Sequence, residues 1–146
     1  MNRKVKRNLL IFVLVGGAMA AAFGYYLFNK GPKDVKGSSA IEVSATSLYE
    51  EFNSDSSKAL QKYSGQVLLV DGEVSGVSVN QQKQKVVLLH TNTGGASVNC
   101  TLEEDPGEIG LHTKVKIKGI CSGPGQADEE LGIKADLYLT RCYLIK

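Results

Sequence analysis

A stretch of twenty uncharged residues near the start of the chain constrains its fold more than any other feature. It runs from Leu9 to Phe28 and reads LLIFVLVGGAMAAAFGYYLF. As a helix rising about 1.5 Å per residue it is roughly 30 Å long, which matches the hydrocarbon core of a bilayer. Four basic residues precede it, and two tyrosines lie near its far end, where amphipathic rings suit the headgroup region. The sequence therefore predicts a transmembrane helix over 9–28 that contacts the lipid bilayer.

The same stretch also has features of a cleaved secretory signal, because Ala18, Met19 and Ala20 form an A-x-A pattern. Apolar character continues beyond that pattern to Phe28, which favours an uncleaved signal-anchor. Four basic side chains flank the near end and three the far end, so positive-inside logic favours a cytoplasmic N-terminus by a small margin. We therefore expect residues 1–8 to form a basic cytoplasmic tail and the rest of the chain to lie outside the cytoplasm.

Small residues recur every four positions in this helix, at Gly16, Ala20 and Gly24. Such a seam allows two helices to pack closely, which would give a homo-oligomer through the membrane segment. The alternative is that small residues are simply frequent in membrane helices.

Charge divides the chain into two parts. The net charge of +2 consists of +6 on residues 1–39 and −4 on residues 40–146, where ten basic residues face fourteen acidic ones. An acidic body opposes a phosphate backbone, whose neutralisation supplies most non-specific nucleic-acid affinity. The basic character of the whole chain therefore does not indicate a nucleic-acid partner.

Residues 29–45 carry Gly31-Pro32 and Gly37-Ser38-Ser39 without a usable apolar period, and they predict a flexible linker. The folded domain is expected over 46–146. Ser47 and Glu50 have the spacing of a capping box, followed by an apolar helical face. A second helical turn is predicted from Ser54 to Tyr63. The residues expected to be buried on these turns are Leu48, Tyr49, Phe52, Ala59, Leu60 and Tyr63.

After Gly65 the hydrophobic period becomes alternating, which predicts strands. Glycines in the first strand mark positions where it bends or bulges. Between the third and fourth strands, Pro106, Gly107 and Gly110 limit any helix to a turn or two. The five predicted strands cover Gln66–Val79, Lys85–Thr91, Ala96–Leu102, Lys114–Cys121 and the region around DLYLTRCYLI within Ile133–Ile145.

Five strands with a bent first strand predict a mainly β, five-stranded OB-fold Greek-key barrel with a short helical lead-in. The strings AxxLYEEFNSDxxKAxxKYSGQ, VxGxVSGV, GGASVNCTL, KVxIKGICSG and LTRCYLI occur in this order over residues 45–146. They resemble the tRNA_anti-like OB-fold family of bacterial lipoproteins and single-pass membrane proteins. The resemblance implies a five-stranded OB barrel after a short helical lead-in, and it implies no particular activity. From the predicted signal-anchor we expect this barrel to be tethered to the bacterial inner (cytoplasmic) membrane. The broken segment 103–112 departs from the helix usual at this place in the family.

Nucleic-acid binding is the function that an OB fold suggests first. OB domains hold single strands by stacking bases on aromatic rings in a positive groove, yet residues 66–102 contain no Phe, Tyr or Trp. Lys114, Lys116 and Lys118 form a basic stripe, which we interpret as solvated lysines that keep a sheet edge from pairing. The sequence thus disfavours nucleic acid, and a nucleic-acid-binding domain facing the cytoplasm stays as the alternative.

The sequence offers no catalytic, cofactor-binding or metal-binding pattern. His90 and His112 are the only histidines, and local spacing places no carboxylate or nucleophile beside either. No C-x2-C or H-x3-H pair indicates zinc. We expect a protein that is not an enzyme and that has no cofactor and no metal.

Three cysteines outside the cytoplasm permit one disulfide with one thiol left over. Cys100 and Cys121 share their phase with core residues, and Cys142 lies on the strand expected beside that of Cys100. The pairs Cys100–Cys121 and Cys100–Cys142 are both open, as is a third state with all three cysteines reduced and buried.

By analogy with OB usage, the ligand surface is expected on the outer face of the second and third predicted strands. The loops Val79–Gln84 and Ser122–Lys134 flank it. The predicted partner is a protein or a small ligand of the cell envelope. The candidate ligand-binding residues are Gln82, Lys85, Ser97, Asn99 and Thr101.

Overall fold

The structure is a computed structural model that describes residues 3–29 and 34–146. The chain divides after Lys33 into two compact units. The first contains helix α1 (Arg3–Asn29), of which no described residue is buried. The most apolar window of α1 has a mean hydropathy of 2.0. By length and composition α1 is able to cross a membrane, and a signal sequence near the N-terminus has the same properties.

The second unit contains six strands and two helices. In chain order they are β1 (Ile41–Ser44), α2 (Ala45–Ser54), α3 (Ser56–Tyr63), β2 (Val67–Val79), β3 (Lys85–His90), β4 (Ser97–Leu102), β5 (Lys114–Pro124) and β6 (Leu137–Ile145). The sheet order is β1-β2-β3-β4-β6-β5, and a further pairing of β2 with β5 closes strands β2 to β6 into a barrel. Since β4 and β6 are parallel neighbours and β5 lies between β6 and β2, the barrel is an OB fold. The predicted fold class is confirmed.

Strand β2 belongs to both halves of the barrel because it bends. Its first half, up to Glu73, pairs with β5, and its second half, from Val74, pairs with β3. The register shifts between Val74 and Gly76. A Cβ on Gly76 would lie 2.9 Å from Leu88 Cδ1, so the Leu88 side chain of β3 packs over Gly76 in space that a larger residue would need. The glycine-marked bend predicted for this strand is present.

Helices α2 and α3 cover one end of the barrel with the apolar face that the sequence predicts. Of the six residues expected there, five are buried, and Leu60 is 37% exposed. The helix begins earlier than the capping box indicated. Ser44 is the N-cap of α2, and its Oγ accepts a hydrogen bond from the Ser47 backbone N at 3.1 Å. Asp55 caps α3 in the same way through Lys58 N.

Most of the described part of the predicted linker is folded, which corrects that prediction. Val35 is 1% exposed, and Lys36 Nζ lies 2.7 Å from Glu104 Oε1 and over the ring of Tyr143. Strand β1 follows and pairs in parallel with β2 between Leu68 and Asp71. A strand of four residues gives too short a pattern to stand out from its Ser- and Gly-rich surroundings. Residues 30–33 of the predicted linker, and 1–2 of the predicted tail, lie outside the described residues.

The other end of the barrel is covered by irregular chain. Residues 103–112 contain no helix, in agreement with their Pro and Gly content. Ile109 from this segment packs against the core. It therefore takes over at this end the packing role that α2 and α3 have at the other.

Candidate ligand-binding face

The candidate site is the outer surface of strands β3, β4 and β6. Along β4, Val98, Cys100 and Leu102 are at most 1% exposed and point into the barrel. Because side chains alternate along a strand, the residues between them point outward. Asn99 and Thr101 lie opposite Leu88 and Val86 of β3, and Tyr138 of β6 is in register with Asn99. We call this surface the ligand face and define it by Val86, Leu88, Ser97, Asn99, Thr101 and Tyr138.

A single carboxylate holds the middle of the ligand face in place. Asp136, just before β6, accepts hydrogen bonds from Ser97 N and from Asn99 Nδ2, both at 2.8 Å. Asn99 is only 9% exposed, so its side chain is fixed rather than free to follow a ligand. The structure thus brings the predicted residues Ser97, Asn99 and Thr101 together on one strand, with Asn99 also serving the fold.

The other two predicted residues have different surroundings. Lys85 Nζ donates hydrogen bonds to Asp105 Oδ1 at 2.7 Å and to the carbonyl of Gly107, and its side chain is 20% exposed. Its charge is therefore used to hold the segment 103–112 and is not offered to a ligand. Gln82 lies in the β2–β3 turn, where its backbone N donates to Asn80 Oδ1 at 3.0 Å. Its side chain is exposed beyond the end of β3.

Tyr138 is a residue of this face that the sequence analysis missed. It is 43% exposed, and its ring lies against Gly125, where an added Cβ would be 2.6 Å from Tyr138 Cε2. Tyr138 lies outside the first three predicted strands, which contain no aromatic residue, and the parallel pairing of β4 with β6 brings it beside Asn99. The alternation in Leu137-Tyr138-Leu139 is the signal that indicates its outward direction.

The lysines of β5 do not protect a sheet edge, which corrects their interpretation. Strand β5 pairs with β2 on one side and with β6 on the other, so it has no free edge. Lys114 is in register with Glu73, and Lys116 with Asp71. Oppositely charged cross-strand neighbours stabilise a sheet modestly. The acidic residues of β2 thus account for two of the three lysines.

A groove of 530 Å³ lies between helix α2 and the loop that joins β5 to β6. Tyr49 and Phe52 line one side, and Pro124 and Ile133 line the other. The Tyr49 hydroxyl donates to the carbonyl of Ala135 at 3.1 Å, and burial raises the pKa of Tyr49 above its usual value. This bond fixes the loop against the helix at the edge of the ligand face.

All three cysteines are free, buried thiols in this structure. Cys100 and Cys142 lie on the neighbouring strands β4 and β6. Hydrogen bonding with the Cys100 thiol and burial both raise the pKa of Cys142 above its usual value. Burial raises the pKa of Cys121 as well. Neutral, buried thiols behave as small apolar side chains.

The histidines lie on the surface. His90 is exposed at the end of β3. The Nδ1 atom of His112 lies 3.0 Å from Glu73 Oε1, and the two side chains are 81% and 43% exposed. Among residues 3–29 and 34–146, no group of three or more His, Cys, Asp or Glu side chains is arranged to hold a metal ion.

Strand order, the bent β2 and the outward-facing polar residues of β4 together define an OB-fold domain with a ligand face of low charge. The sequence model of the tRNA_anti-like family matches residues 1–129, and the chain belongs to this family. Among curated proteins, no sequence matches the chain.

Solved structures with a similar arrangement include two aspartyl-tRNA synthetases and an OBody. The synthetase from Leishmania major has 12% identity and a TM-score of 0.45 over 81% of this chain and 22% of its own. That from Entamoeba histolytica has 12% identity and a TM-score of 0.41 over 81% and 23%. The OBody AM3L09 bound to hen egg-white lysozyme has 18% identity and a TM-score of 0.37 over 58% and 86%. Our chain therefore spans about a fifth of either synthetase, and similarity at this level carries no functional inference.

Proposed function

We propose that this protein is a membrane-anchored OB-fold binding module of the bacterial cell envelope. Helix α1 serves as an uncleaved signal-anchor in the inner membrane, with its basic N-terminal flank in the cytoplasm and the barrel outside. The module binds a protein or a small envelope ligand on the ligand face and does not catalyse a reaction. The observation that carries the binding role is the ordered, weakly charged ligand face on a barrel of this family.

The chemistry of the ligand face supports a ligand that is not a polyanion. The Asp136 carboxylate, which is held by Asn99, puts a negative charge beside this face. The nearby cation Lys85 is already paired with Asp105 and does not offset it. A nucleic-acid strand needs several phosphate contacts for useful affinity, and this face offers few.

One observation favours the second candidate, a nucleic-acid-binding domain in the cytoplasm. Tyr138 presents an exposed ring beside Asn99. A ring and an amide on one OB surface are the kinds of group that stack against and hydrogen-bond to a base. We rank this function second because one ring is fewer than OB domains use for a single strand.

Topology separates the two functions. An alkaline phosphatase domain, which is active only outside the cytoplasm, is fused after Lys146 in the full chain. We expect activity in intact cells, and a control with Arg3, Lys4, Lys6 and Arg7 replaced by Gln should lose part of it. An inactive fusion that is present at normal levels would reverse the orientation and favour the nucleic-acid function.

The ligand face is tested by blocking it. Thr101→Trp places a bulky ring on the face, and Lys116→Trp places the same ring on β5 as a matched control. After cross-linking in cells, we expect Thr101→Trp to remove the specific cross-linked species and Lys116→Trp to retain it. Equal amounts of the cross-linked species from both variants would show that binding takes place elsewhere.

A further inference from the structure

Arg141 occupies an extra position in strand β6. On β4, Cys100 pairs with Leu139, and Leu102 pairs with Cys142. One residue of β4, Thr101, therefore lies opposite two residues of β6, Thr140 and Arg141. This arrangement is a β-bulge, a feature that often re-aims a side chain near a functional site.

The bulge keeps Arg141 on the outer surface. Leu139 and Cys142 are both fully buried and point into the barrel. In a regular strand, two inward residues have a single outward residue between them, whereas here Thr140 and Arg141 both lie between them. Without the extra residue, Arg141 would take an inward position. The insertion thus places Arg141 opposite Thr101 on the outer surface and preserves the core.

The backbone of Arg141 is strained. Its φ is 52°, in the left-handed region that favours glycine. A non-glycine residue there costs on the order of 1 kcal/mol or more. Strain of this kind tends to persist where a side chain has a function that glycine does not supply.

Arg141 also has no partner for its charge. Three cations in the described residues of the barrel unit are half-buried: Lys85, Lys118 and Arg141. Lys85 Nζ is bonded to Asp105, and Lys118 Nζ donates to the carbonyl of Lys36 at 2.9 Å. Within residues 34–146, the Arg141 side chain takes part in no hydrogen bond and no ion pair. Its five N–H donors are thus available, in partly desolvated surroundings, for an acceptor that comes from outside the chain.

We propose that Arg141 is the anchor of an oxyanion subsite at the edge of the ligand face, and that it binds one carboxylate or phosphate monoester group of the ligand. Its planar fork of donors matches either group in a bidentate arrangement. Thr101 lies opposite Arg141 and Thr140 directly precedes it, so both add hydroxyl groups at this edge, although that of Thr140 already lies 3.3 Å from Ser122 Oγ. Tyr138 gives an aromatic surface for an apolar part of the ligand. This subsite rests on the ligand face of the proposed function.

The surrounding charges favour a single oxyanion over a polyanion. Glu103 follows β4 and Asp136 precedes β6, so carboxylates lie toward both ends of the face. On β5, the ammonium group of Lys118 already donates a hydrogen bond to the carbonyl of Lys36. A small aromatic acid therefore fits this chemistry better than an oligonucleotide does.

The test uses the full chain in non-ionic detergent micelles and three probes of similar shape: benzoate, phenyl phosphate and neutral benzyl alcohol. NMR titration follows the Arg141 Nε–H signal and the backbone amides of Thr101 and Thr140. We expect at least one of the two anions to shift all three signals, and benzyl alcohol to leave the Nε–H signal unchanged. The anion that binds more tightly distinguishes a carboxylate from a phosphate ligand. Shifts confined to other residues, or equal shifts with benzyl alcohol, would overturn the subsite.

Variants separate binding from folding. Arg141→Gln should weaken anion binding by about tenfold or more, since a charge-assisted bidentate contact is lost. Arg141→Lys should give an intermediate loss, and Lys116→Gln, which removes the same charge elsewhere, should stay within about twofold of the parent. Arg141→Gly should abolish binding while the melting temperature holds or rises, because glycine relieves the left-handed strain. Equal effects of Arg141→Gln and Lys116→Gln would refute the role of Arg141.

Two further results distinguish a failure of the oxyanion subsite from a failure of the proposed binding function. If Thr101→Trp prevents probe binding and Arg141→Gln does not, the ligand face stands and the oxyanion subsite is wrong. If a ten-residue oligothymidylate binds tightly with the steep salt dependence of several phosphate contacts, the single-oxyanion proposal fails and the nucleic-acid function takes its place.

Discussion

Replacing Gly119 by alanine tests whether the β6 bulge has the geometry described. Gly119 of β5 lies beside the bulge, where the register between β5 and β6 shifts. A Cβ added at Gly119 would lie 2.4 Å from Cys142 Sγ and 3.3 Å from both Cys142 Cβ and the Thr140 carbonyl oxygen. Cys142 is fully buried, so its sulfur has little room to move aside. We expect Gly119→Ala to force the two strands apart at this point.

The expected effect is the difference of two opposing contributions. Overpacking a well-packed core costs about 1–3 kcal/mol. Alanine also restricts the unfolded chain, which stabilises the folded state by about 0.4–1 kcal/mol. The net expectation is a loss of about 1–2 kcal/mol in the free energy of unfolding. For a domain of roughly 110 residues, this lowers the melting temperature by about 4–8 °C.

Thermal unfolding of the full chain, followed by near-ultraviolet circular dichroism, measures this loss. Gly94→Ala is the matched control, because a Cβ at Gly94 meets no atom within 4 Å and its φ is not left-handed. We expect the control to melt within about 2 °C of the parent. An unchanged melting temperature for Gly119→Ala would refute the close approach of β5 and β6.

A double variant locates the source of the cost. Cys142→Ala removes the sulfur atom at 2.4 Å and leaves Cβ at 3.3 Å. In this background, Gly119→Ala should cost about 1 kcal/mol less than in the parent, because the closest contact is gone. The same cost in both backgrounds would assign the destabilisation to the backbone of Thr140 or to another neighbour.

Three further predictions concern other parts of the barrel. Hydrogen bonds from Lys62 and Tyr63 lower the pKa of Glu51 below its usual value. The ionised Glu51 carboxylate therefore stabilises the fold above its ordinary pKa, and this contribution is lost as the pH falls through the lowered pKa. Glu51→Gln should flatten the decline of melting temperature in acid by a small amount, since the Lys62–Glu51 pair is exposed. Asp136→Ala removes two hydrogen bonds of 2.8 Å and leaves the Asn99 amide unpaired, so the urea midpoint should fall by the equivalent of about 1–3 kcal/mol. Iodoacetamide should label no cysteine in the folded protein and three after denaturation without reductant.

Each of these has an outcome that contradicts it. A steeper acid decline for Glu51→Gln than for the parent would reverse the sign argued for the carboxylate. An unchanged urea midpoint for Asp136→Ala would show that Asn99 does not depend on it. A count of one labelled thiol after denaturation would show that two of the cysteines are joined in a disulfide.

Most of the barrel strands were predictable because they present a long enough alternation with a clear turn at the end, whereas Lys85–His90 is a short apolar run between two turns. The helical face of Leu48, Tyr49 and Phe52 was predictable because these apolar residues recur at helical spacing. Strand β1 was not, since four residues give no usable period and its parallel pairing with β2 depends on contacts 27 residues away in sequence. The interpretation of the β5 lysines failed because sequence spacing does not show which strands become neighbours.

Sequence reasoning located part of the candidate site and missed its charged element. Ser97, Asn99 and Thr101 follow from the alternation of a single strand. Arg141 does not, because a bulge shifts the alternation by one residue and places an arginine outside where a regular strand would bury it. Tyr138 needed the pairing of β4 with β6, which only the folded chain reveals.

The folded stretch before α2 has a practical consequence for anyone who prepares the barrel alone. A fragment that begins at residue 46 would lack β1 and Val35, so the main-chain groups of β2 from Leu68 to Asp71 would lose their partners on that side. An unpaired run of this kind recruits other chains and promotes aggregation. A fragment that begins at Asp34 keeps its own covering strand, and it is the shorter route to a well-behaved sample for crystallisation and spectroscopy.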